Sequence, residues 1–212
     1  MSLGEDVKAA YVDTGTGYIV IHSGEVIPSG EVSPSEFCSY DVPEQVVRPF
    51  PREFLLEASL PFDTIANEGD IIKFNDGRHF LILSKIGVQF ADDVYEYTAQ
   101  IVKCNITSGR ILRSTSETWN YQYHKVTVWS VIHEGVKAVF TESLVGNTLD
   151  DRAEAALLTT LNMDLYVSDS NYDIQVMDRF QPVSGESYRV DVIRKRVFPN
   201  VILAQLTEDT RE

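Results

Sequence analysis

Asp70-Ile71-Ile72-Lys73-Phe74-Asn75-Asp76-Gly77-Arg78-His79-Phe80-Leu81-Ile82-Leu83-Ser84 is the stretch on which the fold turns. Two β-prone apolar runs flank Asn75-Asp76-Gly77, and Asp-Gly is among the strongest short hairpin signals because the tight turn needs a positive φ that glycine adopts freely. The reading is an antiparallel hairpin. Similar runs extend from it in both directions, rich in β-branched and aromatic residues. Glu53 to Leu60 precedes it; Tyr95 to Cys104, Tyr121 to Ile132, Met163 to Val167, Asp173 to Met177, Ser187 to Ile193 and Val201 to Leu206 follow.

Two regions depart from this pattern. Asp150-Asp151-Arg152-Ala153-Glu154-Ala155-Ala156-Leu157-Leu158 favours helix, with Thr148 as N-cap and acids in the first turn, so one short helix is expected over about 149–160. Residues 23–51 hold Pro28, Pro34, Pro43, Pro49 and Pro51 among Ser, Gly and Glu, and read as an extended arm or long loop. Before the arm, Tyr11-Val12 and Tyr18 to His22 flank Gly15-Thr16-Gly17, which suggests a hairpin or strand pair. The expected fold is therefore mainly β: a small β-barrel or sandwich with hairpins, one short helix and an extended N-terminal arm. The expected division is an N-terminal hairpin and Pro-rich arm over 1–51, a β domain over 52–145, and a helix with C-terminal hairpins over 146–212, with the last two open to packing as one barrel.

The chain has 212 residues, enough for a sizeable core without disulfide or metal staples. Eighteen Lys and Arg against 32 Asp and Glu leave a net charge of −14, which disfavours tight nucleic-acid binding because phosphate contact needs clustered cations. Cys38 and Cys104 are the two cysteines, and a single distant pair reads as free, buried thiols. The opening residues carry early acids and no apolar core, so neither a secretion signal nor a mitochondrial presequence is expected. No apolar run approaches the ~20 residues of a membrane helix, and Asn105-Ile106-Thr107 is read as a chance sequon in an intracellular product.

Catalytic arrangements are not evident. His22, His79, His124 and His133 are scattered without metal-ligand spacing, and Gly15-Thr16-Gly17 runs into a strand rather than a phosphate-cradling helix. Ser184-Gly185-Glu186-Ser187 reads as a hairpin tip rather than a nucleophile elbow. Asp92-Asp93 fits an exposed loop and Asp150-Asp151 a helix start, so no catalytic residue, cofactor or metal is expected. Trp119, Tyr121 and Tyr123 alternate onto one strand face, which is core, subunit interface, or a platform for a carbohydrate or peptide ligand. Arg189, Arg194, Lys195 and Arg196 form a local basic cluster ahead of Phe198, suited to docking the acidic face of another copy and equally readable as a solvated strand face.

A constant-offset echo runs through the chain: Asp70, Gly77, Phe80 and Ile82 fall on Asp178, Gly185, Tyr188 and Val190. It signals either duplication of a small β-unit or simply two hairpins. The C-terminal copy, Met177-Asp178-Arg179-Phe180 with Gly185-Glu186-Ser187-Tyr188-Arg189-Val190, Phe198-Pro199-Asn200-Val201 and Leu206 to Arg211, resembles the head-closure (head-completion, head–tail joining) proteins of tailed bacteriophages. The middle segment, Gly69 to Ile72 through Phe80-Leu81-Ile82 to Lys103-Cys104-Asn105, is similar to neck proteins of the same viruses.

The resemblance implies a non-enzymatic virion protein of the neck, made in the host cytoplasm. It implies a homo-oligomeric ring of about 6 or 12 copies, with a portal or adaptor above and a tail or terminator protein below. Double-stranded DNA would pass through the lumen without specific contact, and no membrane is involved. The chain departs from the simplest members in its length, its arm and its helix. Those departures leave closure ring, adaptor and tail terminator open as roles.

Overall fold

The hairpin at Gly77 forms as the turn chemistry requires. Gly77 adopts φ +85°, its N–H donates to the Phe74 carbonyl at 2.9 Å, and the Phe74 N–H donates to the Arg78 carbonyl at 2.9 Å. This three-residue turn joins β4 (Ile71–Phe74) to β5 (His79–Phe90). The computed structural model describes residues 2–21, 36–43, 50, 54–119, 125–142, 163–182 and 186–211.

The strands close into two six-stranded antiparallel barrels. The first contains β1 (Thr16–Ile21), β2 (Glu36–Asp41), β3 (Leu55–Pro61), β4, β5 and β6 (Asp93–Lys103), in the spatial order β1-β2-β3-β6-β5-β4. The second contains β7 (Ile106–Trp119), β8 (Lys125–Glu142), β9 (Met163–Ser168), β10 (Arg179–Gln181), β11 (Tyr188–Phe198) and β12 (Val201–Glu208), in the order β7-β8-β9-β12-β11-β10. The permutation is the same in both. Closure satisfies the strand edges around each barrel, while the β7–β8 hairpin runs on beyond the closed part of the second.

The echo in the sequence maps onto this repeat. β4 and β5 of the first barrel correspond to β10 and β11 of the second, and a bulge follows Ile82 and Val190 in each. The corner before the hairpin is duplicated down to its hydrogen bonds. Gly69 N–H donates to the Ile82 carbonyl at 2.9 Å and Met177 N–H to the Val190 carbonyl at 2.8 Å, with positive φ at both Gly69 and Met177. Of the two readings of the echo, repetition of one barrel unit is the one these shared features favour.

β5 explains how the barrels join. His79 to Leu83 are buried without a break, because the strand is covered on both faces. Phe80 and Ile82 point into the first barrel with Tyr18, Leu60, Ile72, Phe74 and Ile101. Leu81 and Leu83 belong instead to one apolar cluster with Ile21, Leu55, Ile71 and Val102 of the first barrel and Ile111, Val136, Leu165, Phe180 and Ile202 of the second. The barrels thus share a dry seam. Asn105 in the connection holds it to β8, donating to the Phe140 carbonyl at 2.6 Å and accepting from the Phe140 N–H at 2.8 Å.

The molecule is mainly β, as the sequence indicates, but several elements fall differently. The expected N-terminal hairpin is a helix, α1 (Leu3–Thr14), followed by β1. Ser2 and Glu5 form a reciprocal capping box, and the run from Glu5 to Ala10 propagates the helix although Tyr11-Val12 alone reads as strand. Gly15 is its C-cap rather than a hairpin turn. The 23–51 segment is not only an arm, since Glu36–Asp41 is β2, paired between β1 and β3.

Asp173 to Met177 is loop, not strand, and the expected break at 145/146 is replaced by one at Cys104-Asn105. The reason is strand length: β7 and β8 form one long hairpin that belongs with the C-terminal strands. The helix expected over 149–160, the tip at Ser184-Gly185, and Tyr121 and Tyr123 lie outside the described residues. Cys38 and Cys104 are free and buried, as expected.

Candidate functional site

Three polar constellations organise the second barrel. At the corner before β10, Asp178 is buried and accepts from the Gln175 N–H at 2.8 Å. It also receives Arg113 Nε at 2.9 Å and Nη2 at 2.8 Å, a bidentate pair of the kind that fixes geometry as well as charge. Arg113 reaches Asp173 Oδ2 at 3.0 Å with its remaining nitrogen, so its guanidinium ties β7 to the whole 173–178 loop. These contacts hold Asp173 below the usual carboxylate range, with the Arg113 hydrogen bond the chief cause.

The second constellation gathers the C-terminus. Asp209 accepts from Arg179 Nε at 2.8 Å and from Arg211 Nε at 2.8 Å, and both guanidinium groups lie over the Trp129 ring, at 4.0 and 4.9 Å from its centroid. Burial alone would raise the Asp209 pKa, but the two arginines outweigh it and hold the carboxyl far below its ordinary value. The tail is thereby latched over β8. No spacing rule points to this group from sequence, because Trp129 of β8, Arg179 of β10 and the Asp209–Arg211 tail are brought together from segments far apart in the chain.

The third is the predicted docking cluster, which the fold divides. Arg189 is engaged within its own sheet, donating to Asp191 at 2.6 Å and to Thr207. Phe198 is half-buried with its ring turned to Phe50 and Tyr166, at 6.3 Å from each centroid. Arg194, Lys195 and Arg196 are exposed on β11; Arg194 touches Gln205 and Lys195 pairs with Asp169 at 2.7 Å. The surface available to a partner is thus the Arg194–Arg196 run with exposed Val192 and Val197 beside it.

In the first barrel the Glu36 carboxylate accepts from Tyr18, from Thr64 and from the Ile65 N–H, closing the loop after β3. Arg78 covers the barrel end, donating to Tyr40 Oη at 3.0 Å with its guanidinium over the Phe74 and Phe80 rings. His79 is buried at the seam. Burial, with Lys137 and Lys73 nearby, lowers its pKa to about 4, so the ring is neutral at physiological pH. Burial also pushes the Cys104 thiol up to about 12. A neutral imidazole near a protonated thiol gives no thiolate–imidazolium pair. Among the described residues no group of three or more His, Cys, Asp and Glu is placed to hold a metal.

Comparison with protein-family models, with curated proteins and with solved structures found no match. The reading of function therefore rests on the chain itself. No described helix is long and apolar enough to cross a membrane.

Proposed function

We propose that this chain is a structural protein of the tailed-phage neck, assembling as a ring between portal and tail around the DNA path. One observation carries the reading. The two segments that resemble neck proteins, Gly69 to Asn105 and Met177 to Arg211, fall on topologically equivalent units, β4-β5-β6 and β10-β11-β12. A resemblance seen separately in both halves of a repeat is what duplication of a single neck-type barrel would leave.

Electrostatics supports the same role. A net charge of −14 keeps a DNA channel from sticking to its cargo, because acidic walls repel phosphate regardless of base sequence. Exposed Arg194, Lys195 and Arg196 provide a local basic surface through which an acidic subunit can meet another acidic surface. The polar groups described above serve to lock corners and tails, which suits a protein whose work is to hold shape.

The test is negative-stain microscopy of the purified chain mixed with portal rings from the same genome. Coaxial stacked rings are expected. A chain that stays monomeric and does not associate with the portal would overturn the reading. Adjacent genes for a portal and a major tail protein are the expected genomic setting.

A further inference from the structure

The β7–β8 hairpin is longer than its barrel needs. β10 pairs with β7 only over Arg110 to Leu112, and β9 pairs with β8 only over Val139 to Glu142. Beyond them the two strands continue together: Ser114 pairs with Trp129, Ser116 with Val128, Glu117 with Thr127, Thr118 with Val126 and Trp119 with Lys125. Among the described residues no further strand pairs with either side of this ribbon. Six residues of β-strand give a projection of roughly 20 Å.

We infer that this ribbon is the element through which one copy of the chain pairs with the next, edge to edge. Both edges of the stem offer backbone N–H and C=O groups, a template for strand addition. A free two-stranded ribbon is marginal in water, so a stem of this length gains from being paired. The occupant is a second copy because the edges are chemically different and charge-compatible. Ser114 to Trp119 carries one acid and Lys125 to Ser130 one base, so the stem is neutral in a chain of net charge −14. The repulsion that the overall acidity sets up between two copies is absent along this stem.

The β7 edge of one copy meeting the β8 edge of its neighbour is a heterologous contact, and each copy then has two neighbours. Such a series closes into a ring of ribbons with no free edge. The base of each ribbon is fixed by Trp129 under Arg179 and Arg211, so a pairing made by the stem is transmitted to the barrel.

The inference rests on the self-assembling part of the proposed function but not on the identity of the portal partner. It is tested with the full chain and a variant in which residues 115–128 are replaced by Asn-Gly, a two-residue turn that joins the paired Ser114 and Trp129 directly. Mass and shape are read by sedimentation velocity at micromolar concentration, with circular dichroism and thermal melting as controls of folding. The expected result is an oligomeric native chain and a folded, monomeric variant. A second measurement, amide exchange in the native chain, is expected to show protection of 114–119 and 125–130 that is lost on dilution to monomer.

A variant that keeps the native oligomer size overturns the inference and leaves the neck reading standing. A native chain that stays monomeric alone and with portal rings overturns both. A monomeric native chain with protected stem amides shows that another segment of the same chain covers the ribbon, and overturns the second-copy assignment.

Discussion

Asp70 and Asp178 hold the same place in the two barrels. Each carboxylate accepts from the backbone N–H three residues earlier, Asn67 and Gln175, at 2.8 Å, and each backbone carbonyl accepts from β5 or β11, from Ile82 at 3.0 Å and Val190 at 2.9 Å. The carboxylate closes the turn by accepting from a backbone N–H that the sheet does not use, which accounts for an acid at a strand start in both halves.

Removing that acceptor should be costly where it also holds a guanidinium. Asp178→Ala leaves the Gln175 N–H unmet and strips Arg113 of its bidentate partner, and is expected to cost about 2–4 kcal/mol. Asp178→Asn keeps an acceptor and should cost less. Urea denaturation of the full chain measures both; equal losses for the two variants would contradict the account.

The two positive-φ residues before these corners show what the second barrel adds. Gly69 (φ +85°) lies under Asn200, whose Cβ would stand 2.6 Å from a Cβ built at Gly69, and Asn200 Nδ2 donates to the Glu68 carbonyl at 3.2 Å across the seam. Met177 (φ +75°) has the same backbone with an exposed side chain, so a larger residue is tolerated there. Gly77→Ala, at φ +85° with open space around it, should lose only the left-handed penalty of about 1–2 kcal/mol. Gly69→Ala should lose that and more, because the seam must open. Equal melting-temperature shifts for the two would mean that Asn200 moves aside freely.

His79 makes the seam sensitive to acid. Its folded pKa of about 4 lies below the roughly 6.5 of an unfolded imidazole, so the unfolded chain binds the extra proton between these values. The stability due to the neutral ring is complete above about 6.5 and is lost as pH falls toward about 4. His79→Leu should flatten the stability curve across that window. Parallel curves for the two proteins would show that the imidazole titrates without consequence.

The C-terminal latch should respond at lower pH. Asp209 is depressed in the folded state, so its contribution is present above the ordinary carboxylate range, roughly 3.9, and lost as pH falls below it. Asp209→Asn weakens the pairing with Arg179 and Arg211 and frees them from Trp129. The expected loss is about 2–4 kcal/mol, with a change in Trp129 fluorescence that Trp129→Phe removes. A stable Asp209→Asn protein with unchanged emission would sink the latch.

Both cysteines are buried, and burial pushes each thiol up to about 12. Thiol-directed reagents should therefore label the native chain far more slowly than the chain in denaturant. Fast labelling of the native protein would show that the barrels open readily.

By itself the sequence determined the local events: the turn at Asp76-Gly77, the runs rich in β-branched and aromatic residues, the buried cysteines and the echo between the Asp70 and Asp178 units. These depend on φ at single residues and on the strand preference and burial of individual side chains, which act over a few positions. It also carries the Ser2 and Glu5 capping box of α1, which outweighs the strand propensity of Tyr11-Val12.

Tertiary structure decided the rest. Whether Leu81 and Leu83 faced water or a second barrel, whether Glu36 to Asp41 was arm or strand, and whether β7 and β8 belonged to the first half or the second depended on pairings between distant segments. So did the gathering of Arg179, Asp209, Arg211 and Trp129, and the separation of Phe198 from the exposed Arg194–Arg196 run. Loop-closure entropy is overcome in such contacts only when the whole barrel closes, so no local pattern encodes them.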